Sequence, residues 1–269
     1  VATALLTLGA WIKVAPGAIV LAVAATARRP WRTVMLPASV LSLAVAGLAL
    51  AGGAGGRVVS FLGAQGARGL QIESVAATPY SLARWWEPGL WAELDVELNA
   101  YQVGGADTGM VRVALDVVLV ATVAIIGWLA WRASHGPALP DGAAPGGAPT
   151  IDRGTVLLAA ALALQLALIV ANKVGSPQFI AWLFAPVAVA LSRHGWATPW
   201  RLPGGLVLVV AGLTQWVFPL DYGAFLWARG PVVLAAAVRN VALVVLLVLA
   251  VVRLARLGGR RGAAATVTR

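Results

Sequence analysis

Unbroken apolar runs, rather than alternating ones, set the frame of this sequence. They cover residues 34 to 51, 113 to 131, 155 to 171, 178 to 191, 204 to 218 and 231 to 252. Most lie near the roughly 20 residues that cross a hydrocarbon core, and those of about 14 or 15 are short for it. Residues 1 to 27 are apolar except for Lys13, with Pro16 and Gly17 just behind it. That stretch reads either as one kinked helix or as two short helices meeting near Lys13. The pattern predicts an all-α polytopic transmembrane helix bundle of about seven or eight membrane segments. The transmembrane domain covers residues 1 to 256, and a basic tail covers 257 to 269. Residue 1 is Val inside an apolar stretch with no charged leader, so the bundle is read as N-terminally truncated.

The polar interruptions divide the runs. Residues 53 to 110 form one long loop opened by AGGAGG; within it, WWEPGLW resembles an interfacial aromatic belt and ELDVELNAYQV alternates like a short strand. The connector 132 to 153 contains the Pro/Gly-rich stretch GPALPDGAAPGGAP, which reads as a linker. Runs 155 to 171 and 178 to 191 are joined by NKVGSPQ and read as a hairpin whose tip lies near the outer interface. FPLDYGAFLWARGP forms a second outer turn rich in aromatics, and Pro231 is a favoured first residue for the last helix.

Composition sharpens this. The chain has 269 residues, 60% hydrophobic and 11% charged, which excludes a soluble domain with an ordinary charged surface. The net charge of +10 would suggest nucleic acid if its positions did not mark helix ends. Placing Arg28, Arg29, Arg32, Arg132, Arg153, Arg193, Arg201 and the arginines from Arg253 onward on the cytoplasmic side makes the spans alternate consistently. The expected location is therefore a plasma membrane, multi-pass, with the C-terminus cytoplasmic, 53 to 110 extracytoplasmic and 132 to 153 a cytoplasmic linker. No cysteine is present, which excludes disulfides and thiolate chemistry. The two histidines, His135 and His194, sit in basic connectors, so no metal site is expected.

Lysine occurs twice, at Lys13 and Lys173, against eighteen arginines. An ammonium at bilayer depth costs on the order of 2.5 to 3.5 kcal/mol and needs an anion, a carbonyl shell or water. Both lysines are expected toward the outer leaflet, each beside broken backbone suited to a phosphate; the alternative is snorkelling to the interface. Around Lys173, Asn172, Ser176 and Gln178 offer hydroxyl and phosphate contacts, or cap a plain turn. In RGLQIES, with Gln71 and Ser74 alongside, Arg68 could meet phosphate and Glu73 could bind sugar hydroxyls or a cation; the alternative is an Arg68 to Glu73 surface pair capping a short helix. Arg112 and Asp116, four residues apart on one helical face, read as a structural ion pair. Arg239 and Asn240 turn into the bundle for pairing or for substrate. No Walker loop, nucleophile elbow or metal-binding helix occurs.

KVAPGAIVL with ARRPWR, then RGLQIESVAATP, then NKVGSPQFIAWL, resemble the actinobacterial polyprenyl-phosphate mannosyltransferases of glycosyltransferase family 87, which have the GT-C membrane fold. RGLQIES and the NKxxSPQ pattern are the specific parts. The resemblance implies transfer of mannose, or a related sugar, from a polyprenyl-phosphate sugar donor to a glycolipid or glycan acceptor on the outer face. It implies membrane lipids as partners, no nucleic acid and no organic cofactor. The family's catalytic aspartate lies in a first outer loop that no residue here matches. The general base is thus expected upstream of residue 1, and this stretch alone is expected to be inactive. Lys13, Arg68, Gln71, Glu73, Ser74, Asn172, Lys173, Ser176 and Gln178 remain candidates for substrate binding. A secondary transporter and a non-catalytic scaffold are the competing classes.

Overall fold

A computed structural model describes residues 1 to 60, 68 to 135, 152 to 196 and 198 to 266. The linker stretch 136 to 149 and the last three residues of the tail lie outside the described residues. Helices dominate, and among the described residues five are long and apolar enough to cross a membrane: Trp31–Ala51, Gly109–His135, Arg153–Val170, Arg201–Leu220 and Val232–Gly259. This is a helical, membrane-embedded architecture. The chain divides into two compact units.

Unit 1 comprises residues 1 to 60, 123 to 165 and 248 to 269. Its opening resolves the Lys13 alternative in favour of two helices, α1 (Ala2–Ile12) and α2 (Ala15–Thr26). Lys13 stands between them in extended conformation, φ −153° and ψ 141°. The break follows from Pro16, whose ring cannot continue a preceding helical hydrogen-bond ladder but fits a helix's first turn. Next come a π-helical turn, Trp31–Met35, and α3 (Leu36–Ala51). Thr3 Oγ1 donates to Thr33 O at 2.9 Å, and Trp11 Nε1 donates to Ser42 Oγ at 3.0 Å. The two contacts advance together along both helices, so α1 runs parallel to the Trp31–Ala51 span. Trp11 reaches that span near its middle, and Lys13 follows two residues later. Counted from the arginine-marked end of that span, α1 thus carries Lys13 past its middle, toward the Ala51 end. Lys13 is exposed within this unit.

Unit 2 comprises residues 61 to 122 and 166 to 247. After the 3-10 turn Val75–Ala77 and α4 (Thr78–Ala83), the expected short strand is a two-stranded antiparallel hairpin. Strand β1 (Trp91–Asp95) pairs with β2 (Ala100–Gly104) in the register Trp91 to Gly104 and Asp95 to Ala100. The turn forms because Asp95 Oδ1 accepts the Leu98 N–H at 3.0 Å and Asn99 takes the left-handed conformation, φ +46°. The segment before Glu73 extends the hairpin: Val103 N–H donates to Leu70 O and Ile72 N–H donates to Tyr101 O, at 2.9 and 3.0 Å. A buried cluster of Ile72, Val217, Phe225, Val232 and Val233 lies beneath it, with Tyr101 and Tyr222 packed against the cluster. Arg84 fastens α4 to a second turn through the carbonyls of Phe225 and Leu226, both at 2.9 Å.

Six further α-helices build the rest of the described residues. The long helices α5 (Gly109–His135), α6 (Arg153–Val170) and α10 (Val232–Thr266) contribute segments to both units. Beyond α6, the run expected at 178 to 191 is a 3-10 helix, Pro177–Leu183, followed by α7 (Phe184–His194). Pro177 and Pro186 limit this arm, because each removes a backbone donor. Helix α8 (Arg201–Gln215) leads through Trp216–Leu220, kinked at Phe218 with φ −143° and ψ 122°, to α9 (Tyr222–Leu226).

Candidate functional site

The site grows from two loops far apart in sequence. Gln71 N–H donates to Lys173 O at 2.9 Å, and Gly175 N–H donates to Gln71 Oε1 at 3.1 Å. RGLQIES and NKVGSPQ are thus stitched together by main chain and side chain. A Cβ on Gly175 would lie 2.2 Å from Ser74 N and 2.4 Å from Glu73 C, so only glycine permits the approach. Gly175→Ala is expected to push the loops apart and destabilise the protein by about 1 to 2 kcal/mol. Thermal unfolding followed by tryptophan fluorescence in detergent checks this; an unchanged transition would contradict the close approach.

The first residues of α10 secure this junction from below. Arg239 Nη2 donates to Glu73 O at 2.6 Å, and Asn240 Nδ2 donates to Ser74 O at 3.3 Å and to Thr78 Oγ1 at 2.8 Å. Asn240 Oδ1 in turn accepts from Arg239 Nε and Nη2 at 3.1 and 2.9 Å. Both side chains are buried, so the bonds form where water does not compete. Ser74 also accepts the Ala77 N–H, capping the 3-10 turn that leads away. A narrow cleft remains, lined by Glu73, Gly175, Ser176, Pro177, Arg239 and Asn240.

The Glu73 carboxylate is buried and accepts the Tyr222 hydroxyl. Burial lifts its carboxyl above the usual carboxylate range, although the Tyr222 hydrogen bond and the Arg239 charge pull the other way. Burial and the facing carboxylate push the Tyr222 phenol up as well, so it stays a donor. A carboxyl raised on folding binds more protons in the native state than in the unfolded one. Its contribution is therefore favourable below the ordinary value of 4.5 and is lost as pH rises through the raised native value. Glu73→Gln is expected to flatten the melting temperature against pH above 4.5, measured between acid and neutral pH; an unchanged slope would contradict the assignment.

Lys173 differs from its expected state. Its Nζ donates to Asp116 Oδ2 at 3.0 Å, with the lysine side chain 7% exposed and the aspartate 60%. The expected Arg112 to Asp116 pair is corrected by this contact, since the buried Lys173 ammonium requires a counter-charge more than the half-buried Arg112 does. Arg112 Nε has no hydrogen-bond partner among the described residues. Asn172 Oδ1 accepts the Val174 N–H at 2.9 Å, and Gln178 Nε2 donates to Ser176 Oγ at 3.0 Å. The capping alternative for Asn172 is therefore realised.

Of the nine candidates, Glu73 and Ser176 line the cleft, Gln71, Ser74 and Lys173 are hydrogen-bonded at the loop junction, and Asn172 and Gln178 make local turn contacts. Arg68 belongs to the same unit but does not pair with Glu73; its Nε is buried without a partner among the described residues. Lys13 belongs to the other unit. The sequence did not single out Tyr222, and it matched Asp116 to Arg112 instead of Lys173. Asp116 is the sole carboxylate within the run 113 to 131, a signal that could have matched it to the lysine. No group of three or more His, Asp or Glu suited to a metal ion occurs among the described residues. No protein-family model, curated protein or solved structure matches the chain.

Proposed function

We propose that the chain is the C-terminal part of a membrane hexosyltransferase that moves mannose, or a related sugar, from a polyprenyl-phosphate donor to a cell-envelope glycolipid or glycan. The bundle would be of GT-C type, with seven or eight membrane segments, in the plasma membrane and with the C-terminus inside. One observation supports this most: RGLQIES and NKVGSPQ, which carry the family resemblance, are hydrogen-bonded to each other across about a hundred residues of sequence. Such a junction combines a buried carboxyl, hydroxyl and amide groups, and two cations, Lys173 and Arg68.

Those groups suit the donor's chemistry. Transfer releases a lipid phosphate, so positive charge near the leaving oxygens lowers the barrier. Lys173 uses one of its three donors on Asp116 and keeps others for a phosphate oxygen. Arg68 offers a guanidinium suited to bidentate phosphate contact. Glu73, held by Tyr222, suits sugar hydroxyls. The activating carboxylate for the acceptor is assigned to none of these residues.

Donor class is the sharpest test. The protein in its native membranes is supplied with either labelled polyprenyl-phosphate mannose or labelled nucleotide mannose, with endogenous polyprenyl-phosphate mannose synthesis blocked. Label in glycolipid from the first donor alone is the expected result. Label from neither, with uptake of a solute into sealed vesicles instead, would replace this reading with a transporter.

A further inference from the structure

The net charge is distributed unevenly. Unit 1 holds twelve of the twenty Lys and Arg residues and two acids, while unit 2 holds eight basic and eight acidic residues. The whole excess of +10 therefore belongs to unit 1. Of its two acids, Asp152 precedes α6 and Asp141 lies outside the described residues.

Within this unit several helix ends are bonded to one another. His135 Nε2 is 3.0 Å from Ala27 O, linking the end of α5 to the α2–α3 turn. Arg153 Nη2 donates to Ser134 O at 3.3 Å, bringing in the start of α6. A Cβ on Gly258 would lie 3.8 Å from Ala133 N, which places α10 alongside. This gathers Arg28, Arg29 and Arg32 from the turn beside Arg132 from α5, all exposed. None of these four forms an ion pair with a described residue. Trp31, Trp128 and Trp131 stand exposed among them at 69%, 53% and 54%, and Arg132 lies over the Trp128 ring at 5.5 Å.

Charge that only orients a membrane protein requires arginines at the right ends of spans. It does not require them to be tied together, where like charges closer than a Debye length of about 10 Å repel. Indoles beside them mark the depth of lipid headgroups. We infer that this face of unit 1 is a binding site for an anionic phospholipid headgroup, whose phosphodiester is held by Arg28, Arg29 and Arg132 between the flanking indoles. The ligand is a lipid rather than a soluble phosphate, because the exposed tryptophans offer acyl-chain and interfacial contacts that a free anion would not use. This site is independent of the transfer proposed for unit 2.

The test uses the purified chain in nanodiscs containing phosphatidylglycerol and phosphatidylcholine, with retained lipid counted by native mass spectrometry. The parent is expected to retain phosphatidylglycerol in preference. Each lost arginine should reduce that retention about fivefold, so Arg28→Gln, Arg29→Gln and Arg132→Gln together should reduce it on the order of a hundredfold. The corresponding triple Lys variant and Arg57→Gln, an exposed arginine beyond the far end of α3, should retain it. Equal retention of the two lipids, or a triple Gln variant that behaves like the parent, would overturn the site. So would a triple Lys variant that loses lipid as fully as the Gln variant, since charge would then not be the determinant. Displacement of the lipid by millimolar inorganic phosphate would overturn the lipid assignment in favour of a soluble anion.

Discussion

Arg239→Ala is expected to be the most damaging single change in the protein, lowering stability by about 3 to 4 kcal/mol. The guanidinium is 3% exposed and donates to Glu73 O at 2.6 Å and to Asn240 Oδ1. Its loss orphans a buried carbonyl, opens a cavity and removes the charge facing a buried carboxyl, and each cost falls on the same loop. Arg239→Lys keeps the charge but not the planar fork, and should recover less than half of the loss. Because Asn240 shares the network, Arg239→Ala with Asn240→Ala should cost less than the two separately. Thermal unfolding of the four proteins in one detergent measures this; strict additivity would mean that the two side chains act apart.

The second large effect reverses an intuitive order. Asp116→Asn is expected to cost about 2 to 3 kcal/mol, whereas Lys173→Met should cost less than about 1 kcal/mol. The reason is the difference in exposure, 60% for the aspartate and 7% for the lysine. Removing the acid leaves a buried ammonium without its counter-charge, while removing the lysine leaves an exposed carboxylate about two turns from the start of its span. Methionine fills the space of the lysine stem, so little packing is lost. A larger loss in Lys173→Met would show that the pair is not the lysine's main support.

Much of the helical frame was legible because length and unbroken hydropathy determine what a bilayer accepts. The arginine pattern and Lys13 marked interruptions for the same reason: a charge in an apolar run must be accommodated. The π-helical turn before α3 and the kink after α8 were not legible, since no spacing in WRTVM or WVFPL separates them from the helices they join. Nor was the register of α1 against the Trp31–Ala51 span, which the Thr3 and Trp11 contacts set and which positions Lys13. At the site, chemistry-bearing residues drew notice by type, but their partners did not. The Asp116 contact is separated by 57 positions from Lys173 and the Glu73 to Tyr222 contact by 149. A helical spacing rule sees neighbours four residues apart, so it chose Arg112 for Asp116. Burial decided otherwise.

The measurement that bears most directly on the proposed site is transfer from labelled polyprenyl-phosphate mannose by the full-length protein in native membranes, comparing the parent with Lys173→Ala and Arg68→Ala at matched expression. Loss of at least about a hundredfold in both variants is predicted if each cation stabilises the departing phosphate by the 2.7 kcal/mol or more typical of such contacts. Transfer that persists at the parental rate in both would place phosphate recognition elsewhere and contradict the account of this site.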